Sequence, residues 1–213
     1  MGRRKKEPEY VHRETISLAA ERLFSQKGIQ ASTMDDIAKE AGYSKATLYV
    51  YFRDKEEIVG FLVQKSMKML CADLSQAVSG PASAKDKYNR ICMALTLYQE
   101  QYPLYFQLVL SEVNVDFGEQ DYLPVEKEIF ETGEEINRVL AAFIRESIQS
   151  GQLKPDIPVL QTVFLFWSSL SGLIQTAAAK QAYIKKTMGL SKHQFLEFGF
   201  EELYRLIERK DAK

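Results

Sequence analysis

Three helix starts crowd into the 22 residues from Thr33 to Asp54, and this crowding constrains the fold more tightly than any other feature of the chain. Thr33, with Asp36 three residues on, has the chemistry of a helix N-terminus. The hydroxyl accepts from a free backbone N–H, and the carboxylate sits at the positive end of the helix dipole. Ile37, Ala38 and Ala41 give that short helix an apolar side, and Gly42 supplies a tight turn. Ser44 then caps a second short helix running to about Phe52, and Asp54 with Glu57 opens the next one. Two short helices joined by a three- or four-residue turn containing Gly make a helix-turn-helix, expected at about residues 33–52. Upstream, Ile16, Ala19, Ala20, Leu23 and Phe24 follow the spacing of a helix with one buried face, and Gly28 ends it.

No alternation of strand type persists anywhere, so the chain is expected to be all-α, with about nine helices in all. Beyond the first four, whose last runs over 55–79, the spacing predicts helices over 83–101, 103–113, 123–150, 157–180 and 191–210. Breaks fall at Gly80-Pro81, at Pro103, from Asn114 to Pro124, from Gly151 to Pro158 and at Gly189. Ile157 to Ala179 carries no charge and has nearly the length of a bilayer span. Pro158, Gln161, Gln175, three serines and two threonines make it too polar for lipid, so it is expected to lie between other helices, with no membrane partner. A content of 46% hydrophobic and 27% charged residues in 213 is that of a globular chain rather than a disordered one. Two cysteines, Cys71 and Cys92, and two histidines, His12 and His193, give neither a disulfide framework nor a zinc ligand set. The cluster Arg3-Arg4-Lys5-Lys6 lacks the apolar stretch of a secretory signal, so a reduced, cytoplasmic chain without metal or cofactor is expected.

Net charge is −1, but residues 1–55 carry +3 and the remainder −4, which places any nucleic-acid surface at the N-terminal end. The helix from Ser44 to Phe52 divides into two faces. Leu48 and Phe52, four apart, point toward Ile37 and Leu23, while Lys45, Tyr49 and the hydroxyls of Ser44, Thr47 and Tyr51 are left for another surface. Short polar and aromatic groups of this kind reach phosphate oxygens and, near a helix N-terminus, base edges. Lys55 opposes the dipole of the helix that follows, an arrangement that suits a phosphate grip.

The run Thr33-Met-Asp-Asp-Ile-Ala-Lys-Glu-Ala-Gly-Tyr-Ser-Lys-Ala-Thr-Leu-Tyr-Val-Tyr-Phe-Arg-Asp-Lys-Glu-Glu-Ile58, preceded by Leu23-Phe24 and Gly28, closely resembles the DNA-binding domain of TetR-family transcriptional regulators. The likeness covers about residues 10–62, and departs from the family pattern at Tyr43 and Ala46, where Val and Gly are common. It implies a homodimer whose recognition helices enter successive major grooves of a palindromic double-stranded operator. Carried over, Thr33, Thr47, Tyr51 and Lys55 would contact phosphates, and Ser44, Lys45 and Tyr49 would lie nearest the bases. The domains would then be 1–55 for DNA binding and 56–213 for regulation, ligand binding and dimerisation.

In the C-terminal region Phe164, Ser168, Ser171, Gly172 and Gln175 share a helix face with small residues at its centre. The last helix, with Phe195, Phe198, Phe200, Leu203, Leu206 and Ile207, is apolar on more than one side. Both features fit a dimer interface of the last two helices, through Phe164, Ser168, Gly172, Gln175, Phe198 and Leu206, or an ordinary core. Met93, Tyr98, Tyr102, Tyr105, Phe106, Phe143 and Ile144 form an aromatic, adaptable lining for an apolar or aromatic effector, or again a core. Between Glu112 and Glu135 nine acidic residues stand against one lysine, a solvated face or a pocket for a cation. An enzyme is not expected: no nucleophile has a convergent histidine, and no Gly-rich phosphate loop is present. The expectation is a repressor released from its operator by a small molecule. The alternatives are a ligand-independent DNA-binding protein and a helix-turn-helix adaptor that touches protein.

Overall fold

The computed structural model describes residues 8–110 and 124–210, and every regular element among them is a helix. These are α1 (Glu9–Lys27), α2 (Met34–Ala41), α3 (Lys45–Tyr51), α4 (Lys55–Val78), α5 (Ala84–Gln101), α6 (Pro103–Leu110), α7 (Pro124–Gln149), α8 (Val159–Ala179), α9 (Gln181–Met188) and α10 (Lys192–Arg205). The basic Arg3-Arg4-Lys5-Lys6 cluster and most of the loop expected from Asn114 to Pro124 lie outside the described residues, as do the first acidic positions of the Glu112 to Glu135 run.

The described residues form two compact units, one from residues up to 66 with 107–130, the other from 67–106 with 131 onward. In the first, α1, α2, α3 and the start of α4 close around Ile16, Ala19, Ala20, Phe24, Ile37, Ala38, Leu48, Phe52, Ile58 and Leu62, all buried. Arg13 locks this packing. Its guanidinium lies 4.2 Å from the Phe52 ring and 5.3 Å from Phe61, donates to the Tyr51 carbonyl at 2.6 Å and pairs with Glu57 at 3.0 Å. Cation–π contact and a half-buried ion pair thus hold the C-terminal end of α3 against α1.

In the second unit α8 packs on α5, α9 and α10, burying Val163, Phe166, Leu170, Ile174 and Ala177. Val159–Ala179 is the one helix among the described residues long and apolar enough to cross a membrane, and 39% of its most apolar window is buried within the fold. Its tight approach to α10 depends on Gly199, where a Cβ would stand 3.0 Å from Leu173 Cδ1 and closer still to Cδ2. Tyr88 of α5 sits beneath both helices, its ring 5.9 Å from Phe166 and 5.0 Å from Tyr204, with its hydroxyl donating to the Phe200 carbonyl at 2.9 Å. Cys71 and Cys92 are free, and burial pushes the Cys92 thiol up to about 12.

Among the described residues ten helices stand where about nine were expected, because α8 breaks at Lys180 and α9 follows as a separate two-turn helix. Only Ile184 of α9 is buried, too little apolar surface to leave a periodic stripe in the sequence. The last helix is also shorter than expected, ending at Arg205. Beyond it, Lys154 N–H donates to the Ile207 carbonyl at 3.0 Å and Arg209 N–H to the Gln152 carbonyl at 3.2 Å, so the chain leaves the helix to pair with the α7–α8 loop.

Candidate nucleic-acid interface

The helix-turn-helix is held by caps at each boundary. Thr33 Oγ1 donates to Asp36 Oδ2 at 2.7 Å, Asp36 N–H donates back to Thr33 Oγ1 at 3.2 Å, and Thr33 N–H donates to Asp36 Oδ2 at 3.0 Å, which closes a capping box. Lys27, hydrogen-bonded to the same carboxylate at 2.7 Å, and then Thr33 hold the Asp36 carboxyl well below the ordinary carboxylate value of 3.8. Gly42 ends α2 at φ 73, a left-handed conformation costly for residues with a Cβ. Ser44 then caps α3, accepting from Thr47 N–H at 3.1 Å.

Leu48 and Phe52 are buried as their spacing required, which fixes the opposite face of α3 outward. Lys45, Ala46, Tyr49 and Val50 are exposed there, Tyr49 at 47% and Val50 at 75%. Lys45 Nζ pairs with Asp35 at 2.7 Å, which raises the lysine pKa, and both side chains remain open to solvent. Ser44 and Thr47 share a hydrogen bond of 2.7 Å at the helix entrance. Val50 is not among the sequence-derived candidates, although its spacing of four from Ala46, beside the Lys45 and Tyr49 pair, marks the same stripe.

Two residues have partners that the sequence did not reveal. Tyr51 is half-buried, its ring stacked on His12 at 4.8 Å, and His12 Nδ1 is 2.6 Å from the Tyr43 hydroxyl, so α1, the turn and α3 meet in one aromatic cluster. Lys55 Nζ donates to the carbonyls of Ile29 at 2.9 Å and Ser32 at 3.1 Å, tying the α1–α2 loop to the start of α4. An ammonium has three donors, so these two carbonyls leave one N–H of Lys55 over.

In the second unit the residues proposed as an effector lining fall in three places. Tyr98 and Phe106 are buried, and Tyr102 lies between two rings, tilted against Tyr98 at 5.6 Å and stacked on Tyr105 at 5.9 Å. Met93 is 61% exposed, beside Leu97, Leu196 and Phe200 in a groove of about 440 Å³ between α5 and α10. Phe143 instead lines a narrow apolar slot, about 40 Å³, walled by Leu74 of α4, by Tyr88, Ile91 and Leu95 of α5, and by Leu140 and Ile144 of α7. Val163, Phe166, Trp167 and Leu170 of α8, with Ile207, complete it. The sequence candidates on α8 lie on its outer face; the inner face is marked by Val163, Phe166 and Leu170, which recur at helical spacing. The outer face is open: Phe164, Ser168, Gly172, Gln175, Phe198 and Leu206 are all exposed, Phe164 and Phe198 by 57% and 62%. Among the described residues no three His, Cys, Asp or Glu side chains gather into a metal-binding group.

Residues 16–60 match the family described as bacterial regulatory proteins, tetR family. The fatty acid metabolism regulator protein of Bacillus subtilis (strain 168) is 27% identical over 73% of this chain and 76% of its own. Among solved structures, FadR from Bacillus subtilis in complex with stearoyl-CoA superposes with a TM-score of 0.67 at 20% identity, over 89% of this chain and 96% of that one. The ketosteroid transcriptional regulator KstR2 of Mycobacterium tuberculosis gives 0.67 at 19% identity, over 93% and 95%. With a capped helix-turn-helix that leaves one polar and aromatic face of α3 open, residues 16–60 carry the DNA-binding domain of the tetR family of bacterial regulatory proteins, and the fold of the described residues is similar to that of these solved regulators.

Proposed function

We propose that the protein is a homodimeric repressor that holds a palindromic operator and releases it on binding an apolar small molecule. The exposed stripe of Lys45, Ala46, Tyr49 and Val50 on α3 carries the reading, because buried Leu48 and Phe52 leave α3 no other way to face. Ser44, Lys45 and Tyr49 lie nearest the base edges, and the Val50 methyls are suited to a thymine methyl. Thr33, Thr47, Tyr51 and the remaining Lys55 donor take phosphates. Residues 1–55 read DNA and residues 56–213 serve regulation and dimerisation, in the cytoplasm.

The dimer forms through the open face of α8 and α10. Phe164, Phe198 and Leu206 expose apolar surface there, and a Cβ at Gly172 would meet nothing within 4 Å, so no contact within the subunit requires a glycine in mid-helix. A glycine at that position costs about 1 kcal/mol of helix stability, and close approach of a second backbone accounts for it. The effector parts the walls of the α4, α5, α7 and α8 slot, which at about 40 Å³ must widen to take an alkyl chain and whose apolar lining suits one, in keeping with the stearoyl-CoA bound by FadR from Bacillus subtilis. Its entry wedges α4, which bears Leu74 in the slot wall and Lys55 at its first turn, and so changes the spacing of the recognition helices from about one DNA turn, ~34–36 Å. The test is operator binding by the purified protein with and without stearoyl-CoA: release by micromolar ligand is expected, and unchanged binding at saturating ligand contradicts the effector class.

A further inference from the structure

His12 on α1 is half-buried between two tyrosines that belong to other elements. Its neighbour Arg13 turns inward to Phe52, Phe61 and Glu57, and His12, about 100° back round the helix, meets the turn before α3 instead. Its ring stacks on Tyr51 at 4.8 Å, with 27° between the planes, and stands edge-on to Tyr43 at 5.8 Å. Tyr43 directly precedes the Ser44 cap and Tyr51 is the last residue of α3, so one imidazole touches the residues at both ends of that helix.

The two ring nitrogens differ. Nδ1 stands 2.6 Å from the Tyr43 hydroxyl, shorter than the roughly 2.7–3.2 Å of an N–H donating to oxygen, so the hydroxyl donates and Nδ1 accepts. A neutral imidazole has one N–H, and with Nδ1 accepting, that proton sits on Nε2. Among the described residues Nε2 has no hydrogen-bond partner. Its N–H is therefore held in a fixed direction by Tyr43 and Tyr51 and is not engaged. A phosphate presents several acceptor oxygens, so one that accepts from the Tyr51 hydroxyl can also accept from the ring stacked on that tyrosine.

We propose that His12 is a backbone contact of the operator complex: Nε2–H donates to an oxygen of the phosphate that Tyr51 contacts. Tyr43, by donating to Nδ1, is the positioning residue that holds the tautomer and direction of the ring. The inference rests on the operator-binding reading above and adds α1 and the turn to the surface it uses. Tyr43 is also one of the two positions at which the sequence departs from the family pattern, and a valine there has no hydroxyl to offer Nδ1.

The test is a phosphate scan. Each phosphate of the duplex that the full-length protein enriches from random DNA is replaced in turn by an uncharged methylphosphonate, and binding is measured for wild type, His12→Phe and His12→Gln. Phenylalanine keeps the stack on Tyr51 and removes both nitrogens; glutamine gives up the ring and keeps an N–H near the place of Nε2. The expected result is one phosphate in each half-site whose replacement weakens the wild type about tenfold, His12→Gln nearly as much, and His12→Phe by no more than about threefold. Each cost is a ratio within one variant, so a loss of fold stability common to both duplexes cancels. Tyr43→Phe should lower the cost at that phosphate and at no other, and a cost unchanged there overturns its positioning role. Equal costs in wild type and His12→Phe at every phosphate overturn the contact and leave the ring a packing element. A His12→Gln that behaves as His12→Phe does overturns the donor role. If the wild type enriches no duplex, the operator-binding reading itself fails, and the contact with it.

Discussion

Tyr49 and Val50 stand side by side on the open face of α3, and neither supports the fold that presents it. Tyr49→Ala should therefore weaken operator binding by about tenfold, as loss of a base-edge contact does, while the thermal midpoint stays where it was. Val50→Ala should relax the preference at one base position only; gel shifts on single-base operator variants read both effects. Lys55 behaves differently, because two of its donors hold the Ile29 and Ser32 carbonyls. Lys55→Met should lower the stability of the helix-turn-helix unit by about 1.5–3 kcal/mol, the range for hydrogen bonds to a charged group, as well as weaken binding, and denaturant melts separate the two losses. The outward set was legible in the sequence because four-residue spacing assigns a face. The inward ties of Lys55, Tyr51 and Arg13 were not, since their partners lie 23 to 44 residues away in sequence, and no local pattern encodes which loop carbonyl or ring a long side chain will find.

Among the elements, α2 depends on its capping box. The Asp36 carboxyl is held below its ordinary value by Lys27 and Thr33, so its contribution is fully present above about pH 3.8 and is lost as pH falls below that. Asp36→Asn should then destabilise the unit at pH 7, and the difference from wild type should narrow through acid titration below pH 4, a trend that chemical melts across pH 3–7 would register. Gly172 on α8 and Gly199 on α10 give opposite expectations. Gly199→Ala drives a methyl into Leu173 and should lower subunit stability by about 1–3 kcal/mol, whereas Gly172→Leu meets open space and should leave the subunit helical while dissociating the proposed dimer. Sedimentation with circular dichroism distinguishes the cases. Sequence reading found both edges of the α8 break region, Pro158 and Gly189, yet missed α9, whose one buried residue, Ile184, left nothing periodic to read.

For the whole molecule, charge and helix order were legible from the start, since a basic N-terminal quarter and an all-helical acidic remainder need only counting and spacing. The apolar slot was not, because it is assembled from α4, α5, α7, α8 and Ile207, and only their packing shows that Phe143 belongs with Trp167 while Met93 and Tyr98 do not. In the proposed regulation, operator and apolar ligand compete for two arrangements of a dimer, with α4 bearing residues proposed for both sites. Its foundation is sequence-specific DNA binding, and the direct measurement is selection of random duplex DNA on the purified protein, followed by binding of the enriched sequence at two salt concentrations. The account predicts a palindrome whose affinity falls steeply with salt, by roughly one log unit per log of salt for each phosphate contacted. A folded dimer that enriches no sequence, or binds with a flat salt response, would contradict it.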